Sequence, residues 1–161
     1  MKLRVALLPL ALCVLPTACA QSDTASANSD SATKSIALTV ASSNGIHAFQ
    51  VEVASTSTQQ EKGLMFRTDI PDNGGMLFWP YPAGGGGPKE ASFWMKNTPT
   101  PLDIIFIRAD GTIARIAENA IPGDETHIES GEPVGAVLEL KGGRSSALGI
   151  AEGDKVTWTG K

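Results

Sequence analysis

The sequence predicts a mainly β domain, a single small sandwich or partly closed barrel of short strands with one or two short helices. Three observations carry that expectation. Apolar and polar residues alternate with the two-residue period of half-buried strands, turn residues interrupt them at short and regular spacing, and helix signals occur only near Ser57 to Gly63 and Arg144 to Leu148. At 161 residues the chain has the length of one such domain.

Residues 1–20 open with Lys2 and Arg4, continue through the apolar stretch Val5 to Leu15 and end in small residues, the order of a secretory signal peptide. The apolar stretch is shorter than the roughly 20 residues a bilayer-spanning helix needs. Two processing outcomes follow. Ala18-Cys19-Ala20 would free Gln21 as a new N-terminus, whereas Pro16-Thr17-Ala18-Cys19 resembles a bacterial lipobox, with cleavage before Cys19 and lipidation of that cysteine. Either places the domain outside the cytoplasm, periplasmic or lipid-anchored to the membrane in a bacterium. Cys13 and Cys19 are the only cysteines, so the domain itself offers no disulfide and no thiolate. Residues 21–35 hold Ser, Thr, Ala, Asn and Asp and no large apolar side chain, the composition of a flexible tether.

The folded domain is expected over 36–161. Ile36, Leu38 and Val40, then Phe49, Val51 and Val53, alternate on either side of Asn44-Gly45 and predict a hairpin. Ser57 or Thr58, with Gln60 or Glu61 three residues on, offers a capping box for a two-turn helix ending at Gly63. A loop-rich middle follows, with short apolar Met76 to Trp79 and the run Gly84 to Gly87; without G-K-[ST] after it, that run reads as a surface loop rather than a phosphate cradle. Strands are predicted at Ala91 to Met95 and Leu102 to Ile107, joined by the corner Thr98-Pro99-Thr100-Pro101. Asp110-Gly111 turns the chain into a strand over Thr112 to Ala117. A polar, turn-rich passage then leads to a strand over Val134 to Leu140, a helical turn at Arg144 to Leu148 and a last strand, Lys155 to Trp158.

Gly63-Leu-Met-Phe-Arg67, Gly75-Met-Leu-Phe-Trp79, Phe93 to Ile107 (F-W-M-K-N-T, then P-L-D-I-I-F-I), Asp110-Gly-Thr-Ile113 and Val137-Leu-Glu-Leu-Lys-Gly-Gly143 with Gly153-Asp-Lys-Val156 together resemble the family known as DUF192 or UPF0127. The resemblance spans Phe49 to Val156. It implies a small β-rich domain, often behind a signal peptide or lipobox, whose biochemical role has not been established. The glycine run and Pro99-Thr100 depart from the usual pattern, leaving loop geometry near the signature open.

The chain carries 13 basic and 17 acidic residues; loss of Lys2 and Arg4 leaves 11 against 17, a net charge of −6. Without a basic cluster, nucleic acid is a poor partner. If Phe93 and Met95 face the core, strand parity puts Trp94 and Lys96 on an outward aromatic and cationic face. The leading expectation is an extracytoplasmic binding module for a small polar or anionic ligand or an envelope partner. Trp94 would stack, Lys96 and Arg67 would hold negative charge, Asn97 would supply an amide, and Asp103 and Glu139 would orient the cations. Packing alone is the plainer reading of the same pattern. One alternative is an acid/base enzyme using Asp103 or Glu139. Another is copper binding by Met65, Met76, Met95, His47 and His127, although these lack ligand-type clustering and each Met sits beside core-type residues. No G-x-S-x-G elbow appears, and no cofactor is called for.

Overall fold

In a computed structural model, residues 33–160 are described; the expected signal segment, Cys19 and the tether up to residue 32 lie outside the described residues. The hairpin is β1 (Lys34–Ser42) and β2 (Gly45–Ala54), which places Leu38 opposite Phe49 and Val40 opposite His47. Strand β1 begins two residues before Ile36, so Lys34 and Ser35 belong to the sheet rather than to the tether. Helix α1 (Ser57–Lys62) starts one residue earlier than expected. Thr56 is its cap: the Thr56 hydroxyl accepts the Gln59 N–H, and the Gln59 side chain accepts the Thr56 N–H.

Strand β3 (Gly74–Phe78) lies parallel to β2, and β8 (Ala136–Lys141) pairs antiparallel with β3 on one side and β5 (Leu102–Ile107) on the other. Adding β6 (Ile113–Ala120) and β9 (Lys155–Trp158) gives a seven-stranded sheet ordered β6-β5-β8-β3-β2-β1-β9. Its two edge strands meet at one corner, where Thr112 bridges Lys155 and the Gly153 N–H reaches the Ile113 carbonyl at 2.9 Å. The result is the predicted partly closed barrel. A second sheet of two strands, β4 (Lys89–Phe93) and β7 (Ile128–Val134), covers part of its outer face.

Strand β7 lies in the passage expected to be only turns. Gly131 and Pro133 hide its alternation, and a proline fits there because the strand has one neighbour only. The strand expected over Val134 to Leu140 is two strands. Gly135 parts them, packed so close to Ala109 that a Cβ would lie 3.1 Å from its Cα. Strand β4 ends at Phe93, short of the expected Met95.

Alternating residues of the curled sheet bury two clusters. The inner one gathers Leu38, Val40, Val51, Leu77, Ile105, Ile107, Leu138, Leu140 and Val156. The outer one gathers Met76, Phe78, Leu102, Ile104, Phe106 and Val137 beneath Ala91, Met95 and Val134 of the small sheet and its extension. Central strands β5 and β8 feed both, which is why their sequences read as unbroken apolar runs.

Asp103 does not orient a cation. It is fully buried, and its carboxylate accepts the N–H groups of Asn119 (2.9 Å), Gly143 (2.9 Å) and Ser145 (2.7 Å), binding β5 to the start of helix α2 (Arg144–Leu148). Because Gly143 at the head of α2 has no side chain to cap the helix, a carboxylate from a neighbouring strand does so.

Candidate functional site

Beyond the end of β4 the chain leaves strand geometry, and the expected parity survives for only part of the signature. Met95 points inward and is fully buried, while Trp94 is 40% exposed and Lys96 stands beside it with Nζ 5.1 Å from the ring centroid. Lys96 also pairs with Glu125 at 3.4 Å. A turn at Lys96-Asn97 then reverses the alternation, so Thr98 is buried and Asn97 is exposed in the left-handed region (φ 54°). There Asn97 serves the backbone, its carbonyl accepting the Phe66 N–H at 2.8 Å. Arg67 is held elsewhere, between Asp69 (2.8 Å) and Glu52 (3.0 Å). These two hydrogen bonds, Asp69 first, raise its pKa further. The six expected residues therefore do not form one site: Trp94 and Lys96 stay together, and Arg67, Asn97 and Asp103 are committed to structure.

The two histidines of the copper set stand on different elements, and Met65 lines the cavity described below. His47 bonds the Ser42 hydroxyl at 2.9 Å on the hairpin, His127 bonds Ser92 on the small sheet, and Met76 and Met95 are outer-core residues. Among the described residues no group of three or more His, Cys, Asp or Glu side chains is arranged to hold a metal.

Glu139 is different. On β8 it lies opposite Met76 and Ile104, facing the outer cluster rather than the face of its neighbours Leu138 and Leu140. It forms part of the lining of a cavity of about 500 Å³ between α1, the end of β3 and the small sheet. Leu64, Met65, Phe78, Tyr81, Phe93 and Trp94 supply most of the apolar wall, while Glu61, Lys62, Ser92 and His127 are exposed groups at its edge. Phe93 is held edge-on to Phe78, with centroids 5.0 Å apart, and lies 6.0 Å from Tyr81. The ring of His127 sits 5.8 Å from that of Trp94. Burial pushes the Glu139 carboxyl up to about 8, against the opposing pull of a hydrogen bond from the Leu64 backbone. Its Oε2 is buried with no hydrogen-bond partner among the described residues.

Ser92 and His127 form a pair that the sequence did not suggest, since a strand residue and one 35 positions later in a polar stretch share no motif. The Ser92 hydroxyl lies 2.7 Å from His127 Nδ1 and donates to Glu129 at 2.8 Å. A hydroxyl has one proton. Glu129 and His127 Nδ1 lie at nearly equal distance from it, so the trio is a hydrogen-bonded cluster at the exposed rim of the cavity.

The DUF192 family profile, described as uncharacterized ACR, matches residues 38–158. The chain belongs to the DUF192 family. A crystal structure of a protein of unknown function from Novosphingobium aromaticivorans DSM 12444 is 46% identical to it, with a TM-score of 0.74 and coverage of 81% of this chain and 89% of that one. A second, from Sinorhizobium meliloti 1021 and described provisionally as a transcription regulator, is 39% identical, with a TM-score of 0.75 and coverage of 81% and 98%. No protein with a curated description matches. In this DUF192 chain, four of the segments that carry the family resemblance converge on the cavity. Leu64 and Met65 come from the first, Phe78 from the second, Phe93, Trp94 and Thr98 from the third, and Glu139 from the last.

Proposed function

We propose that this DUF192 domain binds a small molecule in the cavity above Glu139, in an extracytoplasmic setting. The observation that carries the reading is a carboxyl oxygen buried with no partner on the wall of an aromatic-lined cavity. Such an atom costs free energy on the order of 1–3 kcal/mol unless something supplies its hydrogen bond. A volume of about 500 Å³ falls in the range of ligand pockets. Catalysis is the weaker reading, because Asp103 is sealed on three N–H groups and the Ser92 hydroxyl lies exposed at the rim, shared between His127 and Glu129. The transcription role described for the Sinorhizobium relative would need a DNA-facing or partner-facing surface, and 13 basic against 17 acidic residues favour no contact with nucleic acid.

The test is a fragment screen on the 15N-labelled domain, beside an Ala83→Phe variant that fills the cavity mouth. Binders should move the amide signals of Leu64, Phe93 and Trp94, and the variant should abolish those shifts. Binders that act elsewhere, or that are indifferent to the filled mouth, would refute the reading. The extracytoplasmic setting rests on Met1 to Ala20, and it implies either a lipid anchor at Cys19 or a start at Gln21. The intact mass of the protein from a bacterial host separates these outcomes, and an unprocessed Met1 in the cytoplasmic fraction would contradict both.

A further inference from the structure

We propose that the cavity selects a cationic amine carried on an apolar or aromatic body, with Glu139 as its counter-charge. This rests on the small-molecule reading above and specifies the chemistry of the ligand.

The argument begins with what surrounds the carboxyl. On its own strand the nearest cation, Lys141, is paired with Asp72 at 2.9 Å. The directly opposed residues on neighbouring strands are Met76 and Ile104, and Asp103 of β5 faces the other side of the sheet. From α1 come Glu61 and Lys62, and from the small sheet His127 and Glu129, all of them exposed at the rim or beyond it. The Tyr81 phenol is titratable too, and burial raises its pKa, so it stays neutral. Among the described residues, Glu139 thus has an aromatic enclosure and no cation paired with it.

That combination discriminates between ligand charges. An anion would face a buried acid across an apolar wall, offset by Lys62 at the rim and by Lys96, which stands beside Trp94 and is paired with Glu125. A neutral hydrogen-bond donor could satisfy Oε2 but would gain little from the rings of Phe93 and Tyr81 in the wall. An ammonium gains from both, since ring faces attract cations most when water is excluded, and a buried carboxylate is strongest opposite a desolvated positive charge.

The exchange balances simply. The ligand enters as R–NH3+, Glu139 releases its carboxyl proton to solvent, and the pair that remains is R–NH3+ with carboxylate. Where Glu139 is protonated in the empty cavity, each binding event therefore releases one proton. Affinity should rise about tenfold per pH unit up to the carboxyl pKa of about 8, then level off while the amine stays charged.

The probes are tryptamine, its neutral analogue tryptophol and the anionic indole-3-propionate, titrated calorimetrically and by 15N shifts at pH 6, 7, 8 and 9. Tryptamine should bind tightest, shift Leu64 and Phe93, and tighten about 50-fold from pH 6 to pH 8. Glu139→Gln keeps the size and a hydrogen-bonding amide; it should weaken tryptamine at least tenfold at pH 8 and remove the pH slope. Should that variant not fold, Ala83→Phe blocks the mouth without touching Glu139 and should give the same loss. If tryptophol or indole-3-propionate binds there as tightly as tryptamine, or if Glu139→Gln binds tryptamine unchanged, amine selection is refuted while the cavity reading stands. If no probe shifts those signals, the amine proposal falls; a blank fragment screen would remove the cavity reading as well.

Discussion

Glu139 is costly to the empty protein, and the sign of that cost can be worked out. Its carboxyl pKa is raised from the ordinary 4.5 to about 8, so the folded state holds a proton that the unfolded chain has released. Stability from this group is complete below about pH 4.5, declines as pH rises to about 8, and is flat above that. At one pKa unit per about 1.4 kcal/mol, the decline at pH 7 is on the order of 3 kcal/mol. Glu139→Gln is expected to stabilise the domain by up to that amount at pH 7 and to flatten the slope between pH 5 and pH 8, read by urea denaturation at several pH values. Equal slopes in the two proteins would mean that the carboxyl is already ionised or already paired. How far this residue was legible in the sequence is instructive. An acid between Leu138 and Leu140 announces a buried carboxyl on a two-faced strand, and parity puts it opposite those leucines. Which groups it meets there depends on α1 and the small sheet, and no local pattern encodes that docking. Asp103 shows the reverse case: the same apolar setting, but three backbone donors arriving from residues 16 to 42 positions away.

At the scale of elements, the cavity depends on how closely β3 approaches β8. Gly75 sits opposite Leu140, and a Cβ there would come within 2.1 Å of the Glu139 backbone oxygen. Gly75→Ala must part the two strands, and so is expected to cost about 3 kcal/mol or more, read as a fall in Tm and as a loss of cavity binding even under conditions where the variant folds. A wild-type Tm would mean that the strands can slide without penalty. The elements themselves were largely readable: hairpin, helix, signature strand β5 and the last strand follow from alternation, caps and turn residues. Strand β7 was not, because Gly131 and Pro133 break its pattern and its single partner β4 is about 40 residues away. Missing β7 also meant missing the sheet that carries Ser92 and His127 to the rim. The Phe93 to Thr98 segment was half legible, since parity holds only as long as the strand does, and β4 ends at Phe93.

Over the whole domain, rigidity is distributed unevenly around the cavity. Glu139 stands on β8, hydrogen-bonded to strands on both sides within the seven-stranded sheet, whereas α1 is six residues long with none of them buried. Amide exchange in β8, at Leu138 for example, is expected to require global unfolding, while Gln60 and Glu61 exchange through local opening. Hydrogen exchange with mass detection checks the contrast, and a bound ligand should slow α1 by a larger factor than its overall stabilisation accounts for. Uniform protection of α1 and β8 in the empty protein would overturn this picture.

The first described residue is itself tied down: the Thr33 hydroxyl donates to Glu52 at 2.5 Å, and Glu52 in turn holds Arg67 at 3.0 Å. Burial works to raise the Glu52 carboxyl, and the bonds from Thr33 and Arg67 outweigh it. From that knot the chain runs straight into β1, an interior strand flanked by β2 and β9. Hydrogen bonds of an antiparallel ladder lie across the strands, so tension applied at Thr33 along β1 loads its bonds to both neighbours in shear, many at once, instead of unzipping them one by one. Whatever tugs on the domain from its N-terminal side meets the sheet in its mechanically strongest direction.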